Sequence, residues 1–296
     1  MIIIIYDLRS KIFLLSENLK FFYKLNKQLT SLNVAFKILN ISDKIPNLPC
    51  LILTTSEEVD KIENPNEEIV IIHAFSQEED LHKYILKILA VCKIGYKEEY
   101  SELTFSIDPG SKHVGLAIFL DDYYLDSHTF FNIDALFKTI NDYIEFLQDE
   151  SGDLMNLIFK IGIGVFPTAL ELVINLYSRL KEREKMKVYL IDERKSSKIN
   201  INGKKKKLPK DEASALILAL RDGIEINDEN YIKIFSDIKN KKIRLIHYEN
   251  HFTRENGNSL DFLKNLVNKL LNREITLSKS SMILIERLQF KYNPEL

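Results

Sequence analysis

The sequence predicts an α/β protein in three parts: a small α/β domain over residues 1–96, a mixed-sheet domain over 103–226, and a mainly helical extension over 227–296. Three observations point there. Aliphatic clusters alternate with helix-spaced runs through the first part, where no glycine precedes Gly95. From Leu103 three strand-like runs follow one another, and helices and strands then alternate. The tail carries amphipathic helix patterns with little strand character.

In the first part, residues 2–6, 34–39, 51–54 and 69–73 are β-branched or aliphatic runs that read as strands. Residues 17–32 and 77–91 have helical spacing, with Ser16 and Ser76 as N-caps. Strands separated by helices suit a mostly parallel sheet. Phosphate-cradling loops need glycine so that the backbone can approach the phosphates. A domain without early glycines is therefore read as a scaffold or partner-binding module, and Asp7 as a turn or cap residue.

The charged stretch Lys97-Glu98-Glu99-Tyr100-Ser101-Glu102 is the linker candidate. Residues 103–108, 114–120 and 123–131 then read as strands, with Asp121-Asp122 as a hairpin turn. A helix over 133–147, a strand over 157–165, a helix over 168–183, a strand over 187–191 and a helix over 211–221 complete the order β-β-β-α-β-α-β-α. In the tail, 243–248 reads as a strand. Residues 259–272 form a helix with Phe262, Leu263, Leu266, Val267 and Leu270 on one stripe, and 278–290 form a last helix. These helices are expected to pack on the preceding domain or on a second copy of the chain in a homodimer.

Composition bounds the function. With 45% hydrophobic and 28% charged residues the chain is globular, and a net charge of −2 leaves no global attraction to nucleic acid, so such a partner needs a local basic patch. Cys50 and Cys92 lack metal-site spacing and read as buried thiols of a reducing compartment. No run reaches the roughly 20 apolar residues that span a bilayer. The opening isoleucine run lacks a basic leader, so a cytoplasmic protein without a membrane partner is expected. His247 and His251 have helical i, i+4 spacing, but no acid motif accompanies them and zinc is not assigned.

The most informative stretch is Ile107-Asp108-Pro109-Gly110-Ser111-Lys112-His113-Val114-Gly115. Strand alternation puts Phe105 and Ile107 on one face and Thr104, Ser106 and Asp108 on the other. The strand thus ends on a carboxylate beside a Pro-Gly turn, where it can hold a metal ion or cap the turn. Two later stretches matter. Ile191-Asp192-Glu193-Arg194-Lys195-Ser196-Ser197 ends a strand, and Lys210-Asp211-Glu212-Ala213-Ser214 opens a helix.

Together these segments resemble the RNase H-like superfamily, and more closely its YqgF and RuvC-like branch of pre-ribosomal RNA nucleases and Holliday junction resolvases. The resemblance covers about Leu103 to Ile226. It leaves the N-terminal domain to be read by itself as a small Rossmann-like unit. It implies an RNase H-like mixed sheet and a metal-dependent nuclease, a hydrolase acting on structured RNA or branched DNA. Its cofactor would be two Mg²⁺ or Mn²⁺ ions about 4 Å apart that clamp the attacking and leaving oxygens. Asp108, Glu193 and Asp211 would be the catalytic metal ligands, with Glu193 preferred to Asp192 because neighbours on a strand face opposite ways. From Arg194 to Lys210 there are eight basic residues and no acid: Arg194, Lys195, Lys198, Lys204, Lys205, Lys206, Lys207 and Lys210. Between two ligand segments, this stretch would contact phosphate, with Lys112 and His113 adding to it.

Each feature has a structural alternative: a capped turn for Asp108, a solvated strand end for Glu193, a dipole-favoured helix start for Asp211, a solvated loop for the lysines. The chain also departs from the resolvases. Ile161-Gly162-Ile163-Gly164-Val165-Phe166-Pro167 carries no acid where they place a glutamate, and Ser214 stands where they place a second aspartate. A catalytically weak or inactive nucleic-acid-binding or assembly protein on the same fold is therefore the second reading. An actin-like or sugar-kinase ATPase, suggested by Ile161-Gly162-Ile163-Gly164, is the third.

Overall fold

A computed structural model describes residues 11–32, 34–62, 66, 69–94, 100–148, 155–181, 183–193, 208–243 and 258–290. The chain divides into two compact units, Met1–Glu98 and Glu99–Leu296, and the boundary falls inside the charged stretch read as a linker. Among the described residues no helix is long and apolar enough to cross a membrane.

The first unit is a four-stranded parallel sheet in the order β2-β1-β3-β4, from β1 (Lys11–Leu15), β2 (Phe36–Leu39), β3 (Cys50–Thr55) and β4 (Val70–Phe75). Helices α1 (Leu19–Ser31) and α2 (Leu81–Ile94) complete it. The expected strand over 2–6 and Asp7 lie outside the described residues. Lys11–Leu15, which was not read from the sequence, is one of the two inner strands, and its four apolar residues are all buried, as a parallel strand covered on both faces requires. Cys50 is buried and Cys92 half-buried, and the two are not joined in a disulfide.

Both expected N-caps are corrected. Asn18 Oδ1 accepts from the Phe21 N–H at 3.1 Å, while the Ser16 hydroxyl donates to Glu58 at 2.6 Å. Burial alone would raise the Glu58 carboxyl, but hydrogen bonds from Ser16, Thr55 and the Glu17 amide outweigh it and hold the group low. At α2, Asp80 rather than Ser76 accepts from the His82 N–H, at 2.6 Å.

In the second unit, β5 (Glu102–Pro109), β6 (Val114–Leu120) and β7 (Tyr123–Phe130) form an antiparallel meander. Its two-residue turn holds Asp121 and Asp122 at φ of 45° and 75°, which suits the right-handed twist of a hairpin. Then come α3 (Ile133–Leu147), β8 (Asn156–Gly162), α4 (Phe166–Arg179), β9 (Met186–Ile191) and α5 (Lys210–Ala219). Strand β10 (Ile224–Ile226) and helix α6 (Tyr231–Lys239) follow, neither read from the sequence. The six strands lie in the order β10-β9-β8-β5-β6-β7, with β5 parallel to β8 and β8 to β9. The first strand of the unit is thus flanked by an antiparallel pair on one side and parallel strands on the other.

Strand β5 is buried on both faces. Phe105 stacks on Phe159 of β8 at 5.2 Å, while Ser106 donates to the Ala215 carbonyl of α5 at 2.7 Å. The polar face of β5 therefore looks at α5. Lys160 of β8 donates to the Ala219 and Arg221 carbonyls at 2.6 and 3.0 Å, capping the far end of that helix. Burial pushes this amine down to about 8.

Helices α7 (Asn258–Leu271) and α8 (Leu277–Phe290) share a core with α5 and β6, in which Leu263, Leu266, Val267 and Leu270 are buried. The Asp122 carboxylate accepts from the Ser278 N–H and hydroxyl at 2.8 Å each, tying the start of α8 to the hairpin tip. Of the strand expected over 243–248, Ile243 lies in a bend, and residues 244–250, with His247 and His251, lie outside the described residues.

Candidate metal and nucleic-acid site

Asp108 is the penultimate residue of β5, is 7% exposed, and pairs across the hairpin with Gly115 of β6. The turn beyond it is closed by the Gly110 N–H on the His113 carbonyl at 2.9 Å. A Cβ on Gly110 would strike that carbonyl, so the turn requires glycine there.

Glu193 lies two residues past β9 and reaches back over the end of β8. A Cβ on Gly164 would collide with its carboxyl group, and one on Gly162 would crowd Leu218, Pro109 and Glu193 at 2.9, 3.2 and 3.4 Å. The glycines of Ile161-Gly162-Ile163-Gly164 therefore make the floor on which Glu193 rests. The strand expected to run to 165 ends at Gly162, and the next residues turn into α4, whose first turn holds Pro167. The Val165 N–H donates to the Glu193 carboxyl.

Asp108 and Glu193 are hydrogen-bonded to each other. Burial, the hydrogen bond to Asp108 and the Asp108 charge push Glu193 up to about 9. Burial also raises Asp108, as does the charge of Asp211, while Glu193, Ser214 and Lys210 pull it down. Burial and their mutual charge thus oppose ionising both acids at once, and the pair favours retaining a proton.

Helix α5 brings the third acid. Its first turn passes so close to β6 that a Cβ on Gly115 would strike the Asp211 carbonyl. Glu212 locks that turn to β7 by accepting from Ser127 at 2.6 Å and Thr129 at 3.2 Å. The Asp211 carboxylate lies 3.5 Å from His113 Nδ1. Ser214, one turn further along, is buried beside Asp108 and favours its charged form, although its hydroxyl makes no hydrogen bond of full geometry. Asp192 is buried, and its carbonyl accepts from Arg221.

Asp108 and Glu193 thus meet, with Asp211 near enough for its charge to act on Asp108. Among the described residues no three of Asp, Glu, His and Cys are gathered as a ready metal site. The donor chemistry nonetheless fits a hard divalent cation. Asp108 Oδ1 is buried without a hydrogen bond of full geometry, and burial and neighbouring negative charge push both acids up, which a cation between them would relieve. Of the expected phosphate contacts, Lys112 lies in the β5–β6 turn, and Lys210 is exposed at the start of α5, near enough to act on Asp108. Arg194, Lys195, Lys198, Lys204, Lys205, Lys206 and Lys207 lie outside the described residues.

Four features escaped the sequence reading: the Gly162–Gly164 floor, the Gly115 contact, the Glu212 clamp and the exposed Phe131. The glycine pair before Pro167 was the one visible signal, and it was read by resemblance rather than as a seat for a side chain.

No family model matches the chain, and no curated protein matches it. Solved structures with partial likeness include an Argonaute described as Aa-Ago with externally bound siRNA, at 12% identity and a TM-score of 0.22, covering 80% of this chain and 49% of that one. An exopolyphosphatase from Cytophaga hutchinsonii aligns at 14% identity and a TM-score of 0.13 over 56% of each chain. A Ppx/GppA family member from Aquifex aeolicus aligns at 13% identity and 0.14 over 77% of this chain and 82% of that one. The chain spans about half the length of the Argonaute. Likenesses at these scores carry no argument.

Proposed function

We propose that the second unit is a metal-dependent RNase H-like nuclease of the YqgF and RuvC-like kind, hydrolysing phosphodiester bonds in structured RNA or DNA. The observation that carries the reading is the meeting of buried Asp108, at the end of β5, with half-buried Glu193, which follows β9 and is seated over Gly162 and Gly164. Stability alone does not favour burying two acids together, whereas functional sites collect such perturbed groups. Asp108, Glu193 and Asp211 would hold Mg²⁺ or Mn²⁺. Bound divalent ions would polarise the scissile phosphate and activate water. The chain's own contribution is to aim the carboxylates, exclude bulk water around Asp108, and offer Lys210, Lys112 and the Arg194–Lys207 stretch to flanking phosphates. Residues 1–96 would serve as a scaffold or partner-binding module.

The test is cleavage of branched DNA, single strands and precursor RNA with Mg²⁺, with Mn²⁺ and with chelator. Metal-dependent cleavage of at least one substrate is expected, and its loss in Asp108→Asn. Metal-independent cleavage that survives this substitution defeats the reading.

A second reading, a nucleic-acid-binding or assembly protein without catalysis, draws on the acid-free end of β8 and on Asp211 pairing with His113. It predicts binding by wild type and D108N alike, with no cleavage by either.

A further inference from the structure

Phe131 follows β7 directly and is 78% exposed. Its ring meets the His113 imidazole edge to face, with centroids 4.7 Å apart and planes at 81°. His113 is also the partner of Asp211. An open aromatic surface therefore stands two contacts from the carboxylate site, held by a side chain anchored there. Lys112 is exposed next to His113, and Lys210 is exposed next to Asp211.

Lone apolar residues occur on any surface. Two things set Phe131 apart: its place at the rim of the site, and its mix of neighbours. An aromatic face beside cations is what a nucleotide chain offers contacts to, because each base has a π-face and each phosphate a charge. A base inside an intact duplex has its faces covered by its neighbours, so an external ring that does not kink the duplex stacks on an unpaired base or on an open duplex end.

We propose that Phe131, braced by His113, is a stacking platform for an unpaired base, and that the nucleic acid held at this site presents a single-stranded segment there. The proposal rests on the nuclease reading and names its substrate class. Lys112 and Lys210 take the flanking phosphates, and the platform fixes which phosphate lies over Asp108 and Glu193.

The test is binding of a fluorescent single-stranded oligonucleotide and of a duplex closed by a hairpin loop at both ends, in chelator so that no cleavage intervenes. Phe131→Ala should weaken single-strand binding about five- to a hundredfold, as loss of one base stack does. It should leave duplex binding within about twofold, and Phe131→Tyr should restore single-strand affinity. The chain contains no tryptophan, so Phe131→Trp gives a sole reporter whose emission should be quenched by the single strand. Equal single-strand binding by wild type and F131A, or an unquenched F131W, overturns the proposal. If F131A fails in this way while wild type cleaves, the nuclease reading survives alone. If stacking is seen without any cleavage, the platform survives and the nuclease reading does not. Absence of all nucleic-acid binding overturns both.

Discussion

The carboxyl group of Glu193 occupies the space a Cβ on Gly164 would need, so only one of these residues can carry a side chain at that point. The end of β8 is thereby committed to the acid that follows β9. The missing side chain at Gly164 is what leaves Glu193 room to reach Asp108.

Gly164→Ala should expel Glu193 from its seat. Overpacking of this kind costs about 1–3 kcal/mol, measurable by urea denaturation. Adding Glu193→Ala should recover most of that loss, because the two substitutions act on one contact. Additive losses in the double variant argue against the contact.

The shared proton makes stability depend on pH. Glu193 is raised from 4.5 to about 9 in the folded state, so folding retains a proton that the unfolded chain releases. Its contribution is fully present below the unfolded value and is lost as pH rises through the folded one. In chelator, stability should therefore fall between about pH 5 and pH 9. Glu193→Gln should flatten that fall, as seen in denaturation curves across the range. Lys160 acts in the opposite sense, since a depressed amine adds stability as pH rises from about 8 toward the 10.5 of the free group.

Glu212 should matter without touching substrate. Its bonds to Ser127 and Thr129 fix the first turn of α5, which carries Asp211. Glu212→Ala should cost about 1 kcal/mol of stability but weaken divalent-cation binding roughly tenfold or more, as loss of a ligand-orienting contact does. Glu212→Gln, whose amide can accept from one hydroxyl and donate to the other, should restore part of the affinity. A stability loss with unchanged cation affinity limits Glu212 to a structural role.

Much of the second unit was legible because its signals are local. The alternation of Phe105 and Ile107 against Ser106 and Asp108 matches the two faces of β5, and Asn132 accepts from the Ala135 N–H at 2.8 Å where the α3 pattern begins. The misreadings had non-local causes. Ser16 is drawn off its helix by Glu58, 42 residues away. The end of β8 is set by Glu193, and the three residues of β10 are too few to show a period. Lys11–Leu15 stood behind a more conspicuous isoleucine run. At the site, Asp108, Glu193 and Asp211 were named by resemblance. Gly115, Gly164 and Glu212 escaped because their roles exist only once α5 and β9 are packed on the sheet.

The most direct measurement is a calorimetric Mn²⁺ titration near pH 7 in buffers of different ionisation enthalpy, which counts protons released on binding. If the cation replaces the proton between Asp108 and Glu193, wild type should release about one proton for the tightly bound ion. Glu193→Gln should release almost none, and Asp108→Asn should bind at least tenfold more weakly. Tight Mn²⁺ binding with no proton release, or binding unchanged by Asp108→Asn, would contradict the assignment of this carboxylate pair as the metal centre.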